Sequence, residues 1–312
     1  VAVVAVGAHS YKPKEHLYGQ SDRVFLNLDL DLALRDGNEM VKQAKSAVFI
    51  QCVGSRIPER PYCSKVCCTH SVENALRLKK MNPDMDVYIL YRDMRTFGMR
   101  EYLYKEAREK GVIFVRFDVD RQPQTELIDG KIQVTVIDHI LQRPIVLNPD
   151  VLTLASAIVM EDPEELAKLF KIPVNPEGFF LEAHVKLRPV DFATDGVYVA
   201  GLAHYPKSTD ECIAQAKAAA ARAATVLAKD SITAGGVVAS INKDFCSGCQ
   251  ACLNCCPFNA ISYLEQEGCC EVNQALCKGC GTCAAACPSE AITLLGFSHM
   301  QLYAQIDEAL SA

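Results

Sequence analysis

The chain reads as an α/β protein, a partial doubly wound parallel sheet followed by a small α+β domain organised by cysteine. Three observations carry that reading. Apolar strands alternate with helical stretches from Ala47 to Phe117, the βαβαβ order that builds a parallel sheet with helical crossovers. Two further strands, far apart in the chain, each run into glycine: Val3-Val-Ala-Val-Gly7 and Val197-Tyr-Val-Ala-Gly201. Half of the 16 cysteines fall in two copies of one pattern, C-x2-C-x2-C-x3-C-P, between Cys246 and Pro288.

Taken in order, Val1–Gly7 is a strand that leaves through glycine into a loop from His9 to Gly19. A helical stretch covers Leu28–Val41. The strand Ala47–Val53 runs into Gly54 and a cysteine-bearing loop. The helix Thr69–Met81 stops at Asn82-Pro83, which cannot continue it. The strand Val87–Tyr91, the helix Glu101–Lys110 and the strand Val112–Phe117 complete the alternation. After the Asp129-Gly130 turn, the alternating run Lys131–Asp138 reads as an antiparallel meander returning through Val151–Met160. A short helix, Pro163–Phe170, precedes a loop, Ile172–Pro189. The strand Thr194–Gly201 leads to a helix capped near Ser208–Asp210, with nine alanines between Ala214 and Ala228. Such a stretch is a good helix former, and its small side chains also permit close approach to a sheet or cofactor; both readings stand. Asp230–Val238, with Gly235-Gly236, reads as a linker.

Composition narrows the function. With 312 residues and half of them hydrophobic, the chain can bury a full core. A net charge of −6 gives no basic footprint for nucleic acid or an anionic membrane. The longest apolar run, Val151–Met160, has the length of a buried strand and falls short of the ~18–20 residues of a membrane span. The apolar start lacks the basic region and cleavage site of a signal peptide. Sixteen cysteines without such a signal point to thiolate ligands in a reducing compartment, hence a cytoplasmic, oxygen-sensitive protein.

The repeated cysteine run resembles that of bacterial two-cluster ferredoxins. There, three cysteines of each run ligate one 4Fe–4S cluster and the fourth crosses to the other. The crossing groups Cys246, Cys249, Cys252 and Cys287 as one set, and Cys277, Cys280, Cys283 and Cys256 as the second. Gly248 and Gly279 open the tight turns, and Pro257 and Pro288 end each loop. Zinc sites use two C-x2-C pairs per metal, and a disulfide framework belongs to small secreted domains; neither matches. Cys255 competes with Cys256, but the x3 spacing and Pro257 favour Cys256.

The two strand-to-glycine exits resemble the paired flavin-binding segments of thioredoxin-reductase-like flavoproteins. Glycine at such an exit lets a ligand approach the backbone, and the helix N-terminus beyond supplies N–H groups and a positive dipole. The resemblance implies FAD contacts at Gly7 and Gly201 and beside Leu202; Lys207, Ser208 and Thr209, in the loop before the helix, are further FAD-contact candidates, with Lys207 as a cation at the flavin's N5 side and the catalytic candidate. One departure stands out: the family's Gly-Asp is here Gly201-Leu202. The G-x-G-x-x-G turn that holds the pyrophosphate in that family is absent, so either the sequence is a fragment or a partner chain supplies that half.

Where a nicotinamide-binding turn would follow Val53 stand Cys52, Cys63, Cys67 and Cys68, with one usable glycine. Four thiolates at the positive end of a helix suit an anionic third 4Fe–4S cluster; a Cys63/Cys67 redox dithiol is the alternative. Gln51-Cys-Val-Gly-Ser-Arg56, then Tyr62-Cys63-x3-Cys67-Cys68, a flavin segment and a two-cluster ferredoxin together resemble the C-terminal part of the A-type subunit of heterodisulfide reductase. That resemblance implies an electron-bifurcating iron–sulfur flavoprotein acting on ferredoxin and CoM-S-S-CoB or a related acceptor. It implies as partners heterodisulfide reductase B- and C-like subunits, ferredoxin, and a hydrogenase- or formate-dehydrogenase-linked subunit. Similar subunits serve class II benzoyl-CoA reductase and a quinone-interacting oxidoreductase. An NAD(P)H-dependent disulfide reductase and a ferredoxin carrier on a flavin-free scaffold are the competing classes.

The expected divisions are 1–45, closing a first FAD segment with its linker; 46–160, an NAD-domain-like unit with the cysteine loop; 161–230, the second FAD segment with its helix; 240–297, the ferredoxin domain; and 298–312, a terminal helix. Cys212 reads as a buried small residue, Cys269-Cys270 as packing against a cluster, and His204 as structural.

Overall fold

The computed structural model describes residues 1–231, 237–274 and 276–311. Its opening segment holds β1 (Ala2–Val4), β2 (His9–Ser10), β3 (Val24–Leu26), α1 (Asn27–Arg35) and α2 (Glu39–Gln43). The alternation follows as β4 (Ser46–Val53), α3 (Cys67–Met81), β5 (Asp86–Tyr91), α4 (Glu101–Glu109) and β6 (Ile113–Arg116). Then come β7 (Gln124–Ile128), β8 (Lys131–Ile137) and β9 (Pro144–Leu147), an antiparallel meander, and β10 (Val151–Ser156) with β11 (Ile158–Val159).

Strands β3, β10, β4, β5 and β6 lie side by side in that order, all parallel. Successive side chains of a strand face opposite sides. Phe49 and Ile89 therefore pack on Val72, Ala75 and Leu78 of α3. Val48, Ile50 and Leu90 pack on Ile132, Val134 and Val136 of β8. Each buried side chain of this kind contributes roughly 1.5–3 kcal/mol, so the sheet carries its own core on both faces.

Two expectations need correction. The stretch Leu28–Val41 is two helices, because Gly37 turns left-handed at φ 68° and Asn38 starts α2 by accepting from the N–H groups of Met40 and Val41 at 3.0 and 3.2 Å. The return through Val151–Met160 is not antiparallel: β10 runs parallel between β3 and β4, where its both-sided burial suits an apolar run. Residues 24–26, ahead of the expected boundary at 46, join this sheet as its edge strand.

Helix α5 (Glu164–Phe170), β12 (Val197–Val199) and α6 (Thr209–Leu227) complete the larger part. β12 pairs parallel with β1, Val4 opposite Val199, in a separate two-stranded sheet. The C-terminal module contains β13 (Ala239–Ile241), α7 (Ala251–Cys255), β14 (Ile261–Leu264), β15 (Cys269–Val272), α8 (Thr282–Ala285) and β16 (Ile292–Leu294). β13 pairs antiparallel with β16, and β14 with β15. Helix α9 (His299–Ser311) follows, exposed along its length. Of the expected linker Asp230–Val238, residues 232–236, including Gly235-Gly236, lie outside the described residues. Among the described residues no helix is long and apolar enough to cross a membrane.

Candidate cofactor centres

The internal repeat of the C-terminal module is visible in its backbone. Gly248 and Gly279, Gln250 and Gly281, and Asn259 and Glu290 are matched pairs, and all six adopt left-handed φ between 46° and 80°. A Cβ on Gly248 would stand 2.4 Å from the Gly268 carbonyl oxygen, and one on Gly279 equally close to that of Val237. Glycine is therefore required at both turns. Cys256, Cys277, Cys280 and Cys283 line one small cavity. Cys246, Cys249, Cys252 and Cys287 line another, with Cys270 beside them. The two cavities gather the same two crossed sets that the ferredoxin resemblance implies. Cys255 borders neither cavity; its thiol donates to the Cys252 carbonyl at 3.4 Å.

The donor chemistry fits iron–sulfur clusters. Backbone N–H groups of Ala239 and Ala260 point at the sulfurs of Cys277 and Cys256, each at 3.3 Å, as thiolate ligands require. Without metal, burial pushes the Cys283 thiol up to about 11 and Cys270 up to about 12, so a deprotonated ligand at Cys283 needs a cation to hold it. Among the described residues no three His, Cys, Asp or Glu converge closely enough to hold a single ion. An iron–sulfide cube binds each thiolate through a separate iron, which sets the sulfurs further apart.

The middle cysteines come together from strand, loop and helix. Cys52 leaves β4 in a left-handed conformation, φ 62°, rare for a non-glycine residue. Cys67 and Cys68 are the first residues of α3, and Cys63 receives the N–H of Lys65, itself left-handed, at 3.3 Å. The four thiols lie within electrostatic range of one another. A hydrogen bond from Cys67 to Cys68, together with burial, raises the Cys67 thiol, and the same hydrogen bond, helped by Arg95 and Arg56, lowers Cys68 against its burial to about 7. Arg56, Arg92 and Arg95 add positive charge around Cys52 and Cys68. The buried Arg56 Nη1 and Arg92 Nε have no protein partner, as do both amide atoms of Gln51. Orphaned cationic donors beside four thiols fit an anionic cluster.

Two aromatic contacts lock this loop to the second glycine segment. Tyr62 meets Phe179 edge-on at 5.4 Å and Tyr205 at 5.8 Å, and Phe179 meets Tyr205 at 5.1 Å. The Lys65–Glu211 and Arg100–Asp210 ion pairs tie the N-terminus of α6 to the cysteine loop and to the turn before α4. Between these parts opens a groove of about 1120 Å³, walled by Cys67, Leu202, Lys207, Ser208 and Thr209. Gly7 and Gly201 leave the paired strands β1 and β12, both at φ 72°, and a Cβ on either would meet nothing within 4 Å. That open backbone, and the groove beside Gly201, fit a flat cofactor with a flexible chain.

Lys207 Nζ donates to the carbonyls of Gly201 and Tyr205, at 2.7 and 2.8 Å, and burial brings it down to about 8. His204 is braced rather than free. Its Nε2 donates to Glu182 at 2.8 Å, and Nδ1 accepts from Gln215, which in turn receives the Gly201 N–H at 3.0 Å. Cys212 is half-buried beside Lys207.

Sequence reasoning missed the plug at the turn after β4. The Tyr11 ring fills the place where a Cβ on Gly54 would point, 2.3 Å away. Arg60 stacks on that ring at 4.2 Å and donates to the Gly54 carbonyl at 2.5 Å. Nothing in the sequence pairs Tyr11 with Gly54. The arginines of the loop after β5 also went unread, although their density in Arg92-Asp-Met-Arg95 was a signal.

Residues 270–293 match the model of the 4Fe-4S binding domain. The whole chain aligns with longer curated proteins. It is 39% identical to the A-type subunit of the H(2):CoB-CoM heterodisulfide,ferredoxin reductase of Methanothermobacter marburgensis, over 99% of this chain and 49% of that protein. It is 36% identical to an A-type iron-sulfur subunit of the CoB--CoM heterodisulfide reductase of Methanopyrus kandleri, over 85% and 43%. The chain is a homologue of the A-type subunits of heterodisulfide reductase. It spans less than half the length of these relatives. Among solved structures, a thioredoxin reductase of T. acidophilum is similar at a TM-score of 0.48 and 15% identity, over 74% of this chain and 66% of that one, a likeness too loose to carry function.

Proposed function

We propose that the chain is an electron-transfer part of a multisubunit oxidoreductase of the heterodisulfide reductase type, holding three 4Fe–4S clusters and one side of an FAD. The observation that carries this reading is the shared groove, in which Cys67 of the middle set faces the same space as Leu202, Lys207 and Ser208. The ligand sets are Cys246, Cys249, Cys252 and Cys287; Cys277, Cys280, Cys283 and Cys256; and Cys52, Cys63, Cys67 and Cys68. Bound FAD supplies the exchange between electron pairs and single electrons, the step on which bifurcation depends.

The chain's own residues then do three things. Gly7 and Gly201 keep their backbones open to the cofactor, with Leu202, Ser208 and Thr209 alongside. Lys207 holds a positive charge at the groove wall, the cation we assign to the flavin's N5 side. Lys65 and Arg100 neutralise Glu211 and Asp210 in the first turn of α6, so that its N–H groups and dipole can favour negative charge in the groove. In this reading the pyrophosphate half rests on a G-x-G-x-x-G segment supplied by a partner chain or another segment. The partners are B- and C-like subunits, ferredoxin and a hydrogenase- or formate-dehydrogenase-linked subunit, in a cytoplasmic complex. A nicotinamide at the turn after β4 is disfavoured, because Tyr11 and Arg60 fill it.

Anaerobic preparation tests this. Three clusters give about twelve iron and twelve sulfide per chain, and Cys67→Ser lowers iron by about four while leaving the ferredoxin signals unchanged. A wild-type content near eight removes the middle cluster. Rapid bleaching of bound flavin by NADH or NADPH in the chain alone would favour the disulfide-reductase reading instead.

A further inference from the structure

Arg56, Arg92 and Arg95 flank the middle cysteines, and one carboxylate, Asp93, joins Arg56, Arg95 and Arg116. Asp93 accepts from Arg56 Nη2 at 2.7 Å and stands 3.8 and 3.6 Å from the guanidiniums of Arg95 and Arg116. The Asp93 carbonyl receives the Cys68 thiol at 3.7 Å, which fixes this group against the start of α3. Arg92 Nη1 donates to the Arg56 carbonyl at 3.0 Å, bringing the two guanidinium chains to the Cys52 side. Arg56 stands beside the Cys52 sulfur. With Asp93 engaged, Arg56 Nη1 and Arg92 Nε remain buried and unsatisfied by protein. Buried cationic donors are kept only where an anion answers them.

We infer that Arg56 and Arg92 face the middle cluster, donate to it, and raise its reduction potential above the value its four thiolates alone would set. This rests on the three-cluster reading. A 4Fe–4S cube with four thiolates is an anion that takes up one electron without making or breaking a bond, so each added cation favours the reduced form. The C-terminal module differs: its lysines Lys243 and Lys278 are paired with Glu267 and Asp195, and its cluster sulfurs are met by backbone N–H groups. The middle cluster is thereby built as the better electron acceptor of this chain, next to the groove.

The test is a redox titration of the full chain, prepared anaerobically and followed by the EPR signal of each cluster. Iron content decides the underlying reading, about twelve against about eight per chain. With twelve present, Arg56→Gln and Arg92→Gln should each lower the middle potential by about a tenfold change in the reduced-to-oxidised ratio, about 59 mV for one electron. Arg56→Lys should restore most of it. Asp93→Asn, which removes the neutralising carboxylate, should shift the potential upward. A merely structural role would not give opposite signs for neighbouring members of one ion pair. Unchanged potentials at full iron, or shifts of one sign in both Arg56→Gln and Asp93→Asn, overturn the proposal. Should Arg56→Gln lose iron, Arg92→Gln and Asp93→Asn decide it.

Discussion

In the C-terminal module cysteines help form the core, two of them from the proposed ligand sets. Three of the six residues in its buried centre are Cys252, Cys270 and Cys283, packed with Ala239, Ile261 and Ile292. Its strands are three or four residues long, too short to hold a fold by themselves. The middle site is the reverse. Cys52, Cys67 and Cys68 stand on the rim of a five-stranded sheet whose two faces are filled by Phe49, Ile89, Leu152 and their neighbours. On this packing, the first proposed site is part of its module's core, and the second stands beside a sheet with a core of its own. Metal binding is folding free energy where no preformed site exists, so the two should respond differently to the same loss.

The largest difference should appear on removing iron with a chelator. Hydrogen exchange should collapse to unprotected rates in β13–β16, while amides of β4, β5 and β10 keep their protection. Equal loss in both regions would mean that the sheet also depends on its cluster.

Smaller effects sharpen the contrast at two glycines that are both left-handed. Gly279→Ala carries a backbone penalty of roughly 1–2 kcal/mol plus a clash with the Val237 carbonyl, and should lower both thermal stability and iron content. Gly7→Ala carries the backbone penalty alone and should keep iron while weakening flavin retention. Matching iron losses in the two variants would count against separate sites.

The smallest effect is in pH. Burial lowers Lys207 to about 8, below its value in the unfolded chain. Below pH 8 the amine is charged in both states and folding bears the full desolvation penalty. Between about 8 and the ordinary lysine value of about 10.4 the unfolded state binds more protons, so this group makes stability rise with pH. Lys207→Met should flatten that rise, as measured by denaturant midpoints. An unaltered slope would mean the ammonium is not desolvated.

The three-cysteine turns at Gly248 and Gly279 were legible because their spacing is a local property, while the crossing of Cys256 and Cys287 came only from the ferredoxin resemblance. The strand exits at Gly7 and Gly201 were legible for the same reason. Strand order was not. Val151–Ser156 follows a meander in the chain and so reads as its continuation, yet its apolar run matches a strand buried on both faces, and the sheet interior claims it. The break at Gly37 was written in Asp36-Gly-Asn38, but apolar residues at helical spacing on both sides masked it. Tyr11 against Gly54 and Arg92 against Arg56 join residues far apart in sequence, and no local pattern announces such meetings.

The small pairing of β1 with β12 has a kinetic consequence. Val4 meets Val199 only after nearly the whole α/β part has been placed between them. Closing so long a loop costs only slightly more free energy than closing a shorter one, since the entropy grows with the logarithm of length. Contacts of such long range slow folding far more than they weaken it. The five-stranded sheet can assemble from nearer neighbours first, so the middle cysteines can meet before β1 pairs with β12. On the proposed reading, iron–sulfur insertion at that loop is expected to precede completion of the groove.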